Sequence, residues 1–387
     1  MSINYTKIPC VLMRGGTSRG LIFKDTDLPL NFESRESLIL KIYGSSPSGQ
    51  IDGIGGGTSV TSKVAVVGIT DQKGCDIYYD FGQVGIKERS IDRNVTCGNM
   101  ASAVGLYAVE EGLVEKQEGE TKVRILNTNT DKVMEVSVPV SQGEIENTGD
   151  FSISGVDGTG PKIDVSFMDS SGAFTGKLFP TGNFVDKVTV NEKSYEVSIL
   201  DNGNIVAFVK ASDFGLNGHA LSDEVNQSHY LEAIESVRVQ VGILLGIFKE
   251  GATVNPETEA LPKITLVSEP VDYITEVGTL NSAEEIDIVG RYISMGKLHP
   301  SFAVSGAICL ATACKIPGTV PYTLSKNETD HTINIGHPTG SISADIFLEN
   351  DESGYFVEKG SIGRTARRIM EGHAVVPNTL TWEGVRL

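Results

Sequence analysis

The sequence predicts an α+β protein of two similar domains, related by an internal repeat and a pseudo-twofold axis. Its 387 residues exceed the usual size of one domain, and two domains of half this length can each bury a core. Short β-rich runs alternate with a few helices, and the same order of features occurs twice. We place the domains at residues 1–185 and 186–370, and a final strand at 371–387 could return to the first domain.

The internal repeat consists of four pairs of similar segments that keep the same order along the chain. The pairs are LIFKDTDL (21–28) with AFVKASDF (207–214), SKVAVV (62–67) with PKITLV (262–267), TCGNMASAVGL (96–106) with VSGAICLATAC (304–314), and RILNTNT (124–130) with TINIGHP (332–338). Strand–helix proteins look alike under loose comparison, but four ordered matches favour a duplication. Duplicated domains face each other across a cleft, and such clefts are common ligand sites.

Local patterns place strands and helices at corresponding points of the two halves. KVAVVGI (63–69) and KITLVSE (263–269) are apolar runs typical of strands. Apolar periodicity predicts helices at 33–43, 99–111, 228–247 and 305–315, the last of which ends before Pro317 and Gly318. The helix starts near residues 97 and 305 are equivalent in the repeat. Two converging helix N-termini would make a receptor for carboxylates.

The composition narrows the class of protein and of ligand. A net charge of −18 argues against nucleic acid or an anionic membrane surface as a partner, although a small anion could bind at a local positive site. The first residues lack the pattern of a signal peptide, and no apolar run reaches the roughly 18 residues of a membrane span. Five cysteines without CxxC spacing indicate a reduced, cytoplasmic protein. Because HExxH, EF-hand and His/Cys clusters are missing, we predict no metal site.

Cys97 lies just before the apolar helix pattern in NVTCGNMASAVGLYAVEEGLV (94–114). The dipole of a helix N-terminus stabilises a thiolate, so a cysteine in that place can act as a base or nucleophile near neutral pH. The alternative is a buried cysteine that only fills space, which is the commonest fate of a free thiol. In the second half the matching residue is Ser305, so a mechanism with two thiols is not available.

Lys63 is the best candidate for the partner of Cys97. It opens the strand KVAVV directly after the small residues GGGTSVTS (55–62). A lysine that enters a buried strand is partly desolvated, which suits it to acid–base work near neutral pH. The alternative is a strand-end lysine whose amine reaches solvent. Lys263 occupies the equivalent place in the second half and supports that alternative somewhat.

Three further segments carry candidate binding groups. MRGGTSRG (13–20) is a glycine-rich turn with hydroxyls and arginines, but it lacks the spacing of a nucleotide loop. IGHPTG (335–340) carries His337 on a second turn, and GRYISMGKLHP (290–300) places Arg291 and His299 ahead of the second helix start. Arg291 could pair with a carboxylate through two parallel hydrogen bonds, although a surface salt bridge would use the same geometry.

The motifs together resemble the family of 2-methylaconitate isomerases, which includes 3-methylitaconate Δ-isomerase and 4-oxalomesaconate tautomerase. They are MRGGTSRG, QIDGIGGGTSVTSKVAVV, DFGQV, CGNMASAVGLYAVEEGLV, RILNTNT, SGAICLA, GHPTG and RTARRIMEGHAVVP. The resemblance implies the diaminopimelate epimerase-like fold, in which each of two similar domains wraps a mixed sheet around a central helix. It also implies small unsaturated di- or tricarboxylates as substrates, with no cofactor.

The resemblance further implies the acid–base pair of the site. The lysine of TSKVA and the cysteine of CGN, here Lys63 and Cys97, would be the acid–base pair. The residues that we expect to bind the substrate are Thr17, Ser18, Gln50, Ser62, Gln83, Gly98, Asn99, Arg291, His299, Ser305, Gly306 and His337. A proton allylic to a C=C bond conjugated with a carboxylate is acidic because its loss gives a delocalised dienolate. Its return elsewhere would move the double bond or change its cis–trans geometry.

Two other functions stay open on sequence grounds. A racemase or epimerase of a small amino or hydroxy acid would share the fold, but Ser305 replaces the second thiol. A non-catalytic protein that binds carboxylates would share the cleft. The fold often pairs, so a homo-oligomer is possible, but no segment marks an interface.

Overall fold

The computed structural model describes residues 5–256, 261–326, 331–351 and 354–377. Within them the α-helices are α1 (Phe32–Tyr43), α2 (Gly98–Glu110), α3 (Ser222–Val225), α4 (Ser228–Leu244), α5 (Val304–Lys315) and α6 (Val320–Leu324). Short 3-10 helices span Asp25–Asp27 and Ala211–Phe214. The predicted helices at 33–43, 99–111, 228–247 and 305–315 are thus confirmed, with ends that differ by up to three residues.

The strands of the described residues follow the same alternation with the helices. They are β1 (Tyr5–Gly15), β2 (Ser18–Lys24), β3 (Lys63–Ile69), β4 (Ile77–Val84), β5 (Ile91–Asp92), β6 (Gly119–Asn127), β7 (Lys132–Ser141), β8 (Glu144–Ile145), β9 (Ile163–Met168), β10 (Asp186–Val190), β11 (Lys193–Asp201), β12 (Ile205–Lys210), β13 (Lys263–Ser268), β14 (Tyr273–Ile274), β15 (Leu280–Asn281), β16 (Ile288–Ser294), β17 (Lys297–Leu298), β18 (Thr332–His337), β19 (Gly340–Asp351), β20 (Gly354–Arg364) and β21 (Ala366–Pro377). All except β14 and β15 join one mixed sheet.

The order of strand pairings shows the internal repeat directly. Neighbouring strands of the first half pair in the series β1-β2-β3-β4-β6-β7-β9. The six pairings are, in turn, antiparallel, parallel, antiparallel, parallel, antiparallel and antiparallel. In the second half, β11-β12-β13-β16-β18-β19-β20 repeat the same order. A 3-10 helix follows both β2 and β12, and the two halves join where β9 pairs with β20. The duplication predicted from four sequence matches is therefore present in the topology.

Each half wraps its part of the sheet around one apolar helix. In α2 every residue from Gly98 to Val109 is buried, and in α5 every residue from Val304 to Cys314 is buried. Helices that are apolar on all sides must be enclosed, because each fully buried Val, Leu or Ile contributes about 1.5–3 kcal/mol. The two helices share one hydrophobic core and meet near their N-termini, where Val304 lies against Gly98. The α+β fold with a central helix in each half is confirmed.

The chain ends of the described part meet at one side of the sheet. Strand β21 pairs with β1 along its length, from Tyr5 opposite Pro377 to Gly15 opposite Ala366. Residues 378–387 of the predicted final strand lie outside the described residues, and the domain boundaries at 185 and 370 stay a prediction. In the described part of the chain, no helix has the length and apolarity that a membrane span requires.

Candidate active site

A narrow cavity of about 50 Å³ lies between the starts of α2 and α5, and we call it the central cavity. Its lining includes Lys63, Cys97 and Asn99 from the first half, and Lys263, His299 and Ser305 from the second. Among the described residues, no aspartate or glutamate lines it. The protein as a whole carries a charge of −18, so a cavity with two lysines and no carboxylate is a local reversal of charge suited to an anion.

Cys97 is the N-cap residue of α2, and its backbone is extended (φ −140°). Its carbonyl oxygen accepts the first helical hydrogen bond, from Ala101 N at 3.0 Å, and a second from Tyr79 Oη at 3.2 Å. These bonds fix the backbone while the half-buried thiol lines the central cavity. The first turn of α2 contains no acidic side chain, so the field of the helix N-terminus is not offset there.

Lys63 is the first residue of β3, directly opposite Gln83 on β4. Its Nζ donates to Gln83 Oε1 at 2.7 Å and lies 5.4 Å from the centre of the Phe81 ring. Gln83 in turn donates from Nε2 to the carbonyl of Ser62 at 3.0 Å, which fixes the orientation of its amide. The amine is thereby held in the cavity that also contains the Cys97 thiol, and the alternative of a lysine that reaches solvent does not apply, since Lys63 is buried.

The helix start in the second half differs from that in the first. The first helical bond of α5 is accepted by Ala303, so Ser305 lies within the first turn, whereas its sequence match Cys97 is an N-cap. Ser305 Oγ lines the cavity and accepts a hydrogen bond from Asn204 Nδ2 at 2.6 Å. Cys309, one turn further on, is buried beside the carbonyl of Leu200 and does not line the cavity. Among the described residues that line the central cavity, Cys97 is the single thiol.

His299 is a neutral hydrogen-bond donor to the central cavity. Its Nδ1 accepts from the backbone N–H of Ser301 at 3.1 Å, which leaves the proton on Nε2. Burial, followed by the charges of Lys63 and Lys263, lowers the pKa of His299 to about 4. The ring therefore stays uncharged at neutral pH and can donate to a carboxylate.

Asn99 lines the central cavity and is hydrogen-bonded to two residues of a second cavity of about 350 Å³. Its Nδ2 donates to Thr17 Oγ1 at 3.0 Å, and its Oδ1 accepts from Arg364 Nε at 3.0 Å. Thr17 and Arg364 both line the second cavity. The glycine-rich turn brings Thr17 here because Gly16 has φ +51° and lies so close to Asn99 that a Cβ would be 2.0 Å from Oδ1.

Arg364 is a buried cation that was not among the predicted site residues. No carboxylate of the described residues lies within salt-bridge distance of it, and its guanidinium is held by Asn99 and by the carbonyl of Gly363. Burial lowers the pKa of Arg364 to about 9, while the nearby Cys97 acts in the opposite direction. A buried guanidinium without a counter-ion is costly, and an incoming carboxylate would remove that cost.

Several predicted binding residues lie elsewhere than expected. Arg291 lines neither cavity: it donates to the backbone carbonyls of Ala220, Gly290 and Gly336 and stacks over the Tyr273 ring at 4.8 Å, so it supports the turn that carries His337. It was expected to bind substrate because a long cation preceded the helix start, but its strand register turns it to the opposite side. His337 itself lines the second cavity, and burial with the charge of Arg291 lowers its pKa to about 3.

Gln50, Ser62 and Gly306 also lie outside the lining of both cavities. Ser62 Oγ donates to Gln50 Oε1 at 2.6 Å, and the same oxygen accepts from Gly57 N at 2.9 Å. This network folds the small-residue loop that leads into Lys63. Gly306 packs against the Tyr292 ring, where a Cβ would be 2.5 Å from a ring atom. These three residues shape the site without reaching its space.

The other predicted residues gather around the two cavities. Ser18, Gln83, Gly98, Asn99, His299 and Ser305 line the central one, and Thr17 and His337 line the second. Ser18 Oγ is buried and has no hydrogen-bond partner among the described residues, which leaves it free for a ligand. Lys263 also lines the central cavity, although its equivalence to Lys63 favoured a strand-end role for both lysines and it was not among the predicted site residues.

The fold and the site define the class of protein: a two-domain, epimerase-like fold with acid–base groups in the cavity between its halves. A solved hydroxyproline epimerase from Agrobacterium vitis has the same fold, with a TM-score of 0.60 at 11% identity over 97% of this chain and 94% of that one.

The chain belongs to the family described as PrpF protein, which it matches over residues 5–377. It is 37% identical to the 3-methylitaconate isomerase of Eubacterium barkeri, over 96% of this chain and 97% of that protein. It is 33% identical to the 2-methyl-aconitate isomerase of Shewanella oneidensis, over 96% and 97%. A crystal structure of methylitaconate-delta-isomerase superposes with a TM-score of 0.79 at 36% identity, over 97% of both chains. The predicted family and the prediction of an isomerase are confirmed.

Proposed function

We propose that this protein is a cofactor-independent isomerase of small unsaturated di- or tricarboxylic acids. It moves a double bond, or changes its cis–trans geometry, by allylic proton transfer. The observation that carries the proposal is the meeting of Lys63 and Cys97 in one buried cavity whose described lining contains no carboxylate. The names of the relatives, methylitaconate and methylaconitate isomerases, support the substrate class.

The chemistry follows from the groups in the cavity. One of Lys63 and Cys97 removes the allylic proton, and the electron pair of the broken C–H bond delocalises through the C=C bond onto a carboxylate. The N–H groups at the start of α2 and the neutral ring of His299 stabilise the negative charge as it grows. The second group returns a proton to the far end of the allyl unit. Each step transfers only a proton, so electrons and atoms balance without an oxidant or reductant.

The two cavities bind different parts of the substrate. The narrow central cavity admits the few atoms of the reacting allyl unit, and the second cavity has room for the rest of the acid. A carboxylate beyond Asn99 would pair with the guanidinium of Arg364 and accept from His337. Arg364 has no counter-ion among the described residues. Its positive charge therefore favours binding of an acid with a second carboxylate over binding of a monocarboxylate.

Two alternatives use the same site differently. A 4-oxalomesaconate-type tautomerase would apply the same proton transfer to a keto–enol pair. A racemase or epimerase of an amino or hydroxy acid needs groups on both faces of one carbon. The residue that matches Cys97 in the second half is Ser305, whose hydroxyl accepts from Asn204, so the described cavity offers no second thiol. A carboxylate-binding protein without activity would not require the acid–base pair of Lys63 and Cys97.

A proton NMR screen in D₂O tests this proposal. The purified protein is incubated with methylitaconate, 2-methylaconitate, trans-aconitate and 4-oxalomesaconate in turn, and with a set of L-amino acids. We expect conversion of at least one unsaturated acid, with deuterium at the positions between which the double bond moves. Exchange of an amino-acid α-proton with no change in any unsaturated acid would instead establish a racemase.

A further inference from the structure

Lys263 is a buried amine of the central cavity that the proposed proton transfer does not use. It is the first residue of β13, as Lys63 is the first residue of β3, and the repeat places both at the same cavity. Its side chain is 7% exposed. Among the described residues, no hydrogen bond or ion pair reaches its Nζ, whereas Lys63 Nζ is held by Gln83.

Among the described residues, no acid forms an ion pair with Lys263. Glu235 on α4 is already paired with Arg238 at 2.7 Å. Asp92 on β5 attracts the amine but makes no ion pair with it within 4 Å, and it does not line the cavity. Lys63 and Arg238 repel it. A buried amine with no acceptor costs free energy, so binding of an external anion beside Lys263 is favourable.

We propose that Lys263 binds a carboxylate of the substrate in the central cavity, on the side opposite Lys63. This inference rests on the proposed function, because it assigns a second cation to the same acid. Lys63 and Lys263 come from the two halves, so an acid between them contacts both domains. The ligand class is a small dicarboxylate, with one carboxylate at Lys263 in the central cavity and the other beyond Asn99 at Arg364.

The protonation of Lys263 supports this role. Burial lowers its pKa to about 7; the charge of Asp92 opposes this most strongly, Arg238 and Lys63 add to the lowering, and Glu235 opposes it slightly. A carboxylate placed beside the amine favours the charged form. Binding of a dicarboxylate above pH 7 therefore draws a proton onto Lys263, and the protein takes up protons as it binds.

Calorimetry with the saturated dicarboxylate methylsuccinate, which cannot turn over, tests the inference. Wild type, Lys263→Met and the exposed control Lys187→Met are titrated at pH 7.5 in two buffers of different ionisation enthalpy. Circular dichroism checks that both variants fold. We expect Lys263→Met to weaken binding by about 10- to 100-fold, the range for a lost charged hydrogen bond. We also expect proton uptake in wild type and Lys187→Met, and none in Lys263→Met.

Steady-state turnover of the acid found in the NMR screen separates binding from chemistry. We expect Lys263→Met to raise KM with kcat within about 3-fold, as for a contact made equally in ground and transition states. Unchanged methylsuccinate affinity, or loss of kcat at unchanged KM, would overturn the inference, as would a wild type that binds no methylsuccinate. If no acid is converted but methylsuccinate binding depends on Lys263, the proposed activity fails and the binding site stands.

Discussion

Lys63 Nζ and Gln83 Oε1 lie 2.7 Å apart because β3 and β4 pair in a register that sets these two residues directly opposite each other. Gln83 is fixed at its other end by the carbonyl of Ser62, so the amine has one preferred direction into the cavity. The sheet register of the first half, and not a flexible loop, positions the lysine in the same cavity as the thiol of Cys97. A group held in this way loses little freedom when the reaction begins.

Removal of the Gln83 amide is expected to slow the reaction. In Gln83→Leu the amine loses its acceptor and its orientation, and we expect kcat to fall by about 10-fold or more, the scale of one charged hydrogen bond. The exposed Gln72→Leu is the control and should retain wild-type kcat. Steady-state kinetics on both variants provides the measurement, and an unaltered kcat in Gln83→Leu would show that the orientation of Lys63 does not depend on this bond.

Loss of Arg364 is expected to weaken substrate binding more than chemistry. The guanidinium is buried at the second cavity without a counter-ion, so we expect Arg364→Met to raise KM for a dicarboxylate by about 10- to 100-fold. Arg367→Met, three residues further along the chain and exposed, serves as the matched control. If KM stays at the wild-type value while the protein remains folded, the second cavity does not hold a carboxylate.

The two buried histidines should make the protein sensitive to acid. Burial lowers the pKa of His299 to about 4 and that of His337 to about 3, below the ordinary value of 6.5. Between pH 6.5 and these values the unfolded chain binds protons that the native protein does not, so the free energy of unfolding falls as pH falls. For His299 the loss amounts to about 3 kcal/mol by pH 4, at about 1.4 kcal/mol per pH unit.

Urea unfolding from pH 7.5 to pH 4 measures this dependence. We expect His299→Gln to show a shallower fall in unfolding free energy than wild type, and the exposed His373→Gln to follow wild type. Identical slopes in His299→Gln and wild type would mean that His299 is protonated in the native state, contrary to its neutral role in the cavity.

Much of the fold could be predicted because the same series of segments occurs twice in the sequence. Apolar runs that begin with lysine predicted β3 and β13 to within one residue, and apolar periodicity predicted the helices α2 and α5. The repeat order then implied equivalent pairings in the two halves. The pairing of β9 with β20, which joins the two halves, could not be predicted, because neither strand lies in one of the four pairs of similar sequence segments.

Site residues could be predicted where their place at the start of a helix or strand determines which way the side chain points. A cysteine before a helix and a lysine at a strand start both reach the cavity between the halves. Arg291 and Gln50 were misplaced because spacing along the chain does not show which side of a strand or loop faces the cavity. Arg364 comes from β20, which is close to the site only after the chain returns from the second half. Lys263 was marked by the repeat but given a structural role.

The central claim is that Lys63 and Cys97 transfer the allylic proton, and deuterium incorporation tests it most directly. The acid converted in the NMR screen is incubated in D₂O with wild type, Lys63→Met and Cys97→Ala, and with Lys187→Met and Cys75→Ala as controls. Given typical acid–base contributions, we predict that each site variant incorporates deuterium at least about 100-fold more slowly than wild type, while both controls match it. Near-normal incorporation in Lys63→Met and in Cys97→Ala would contradict the mechanism.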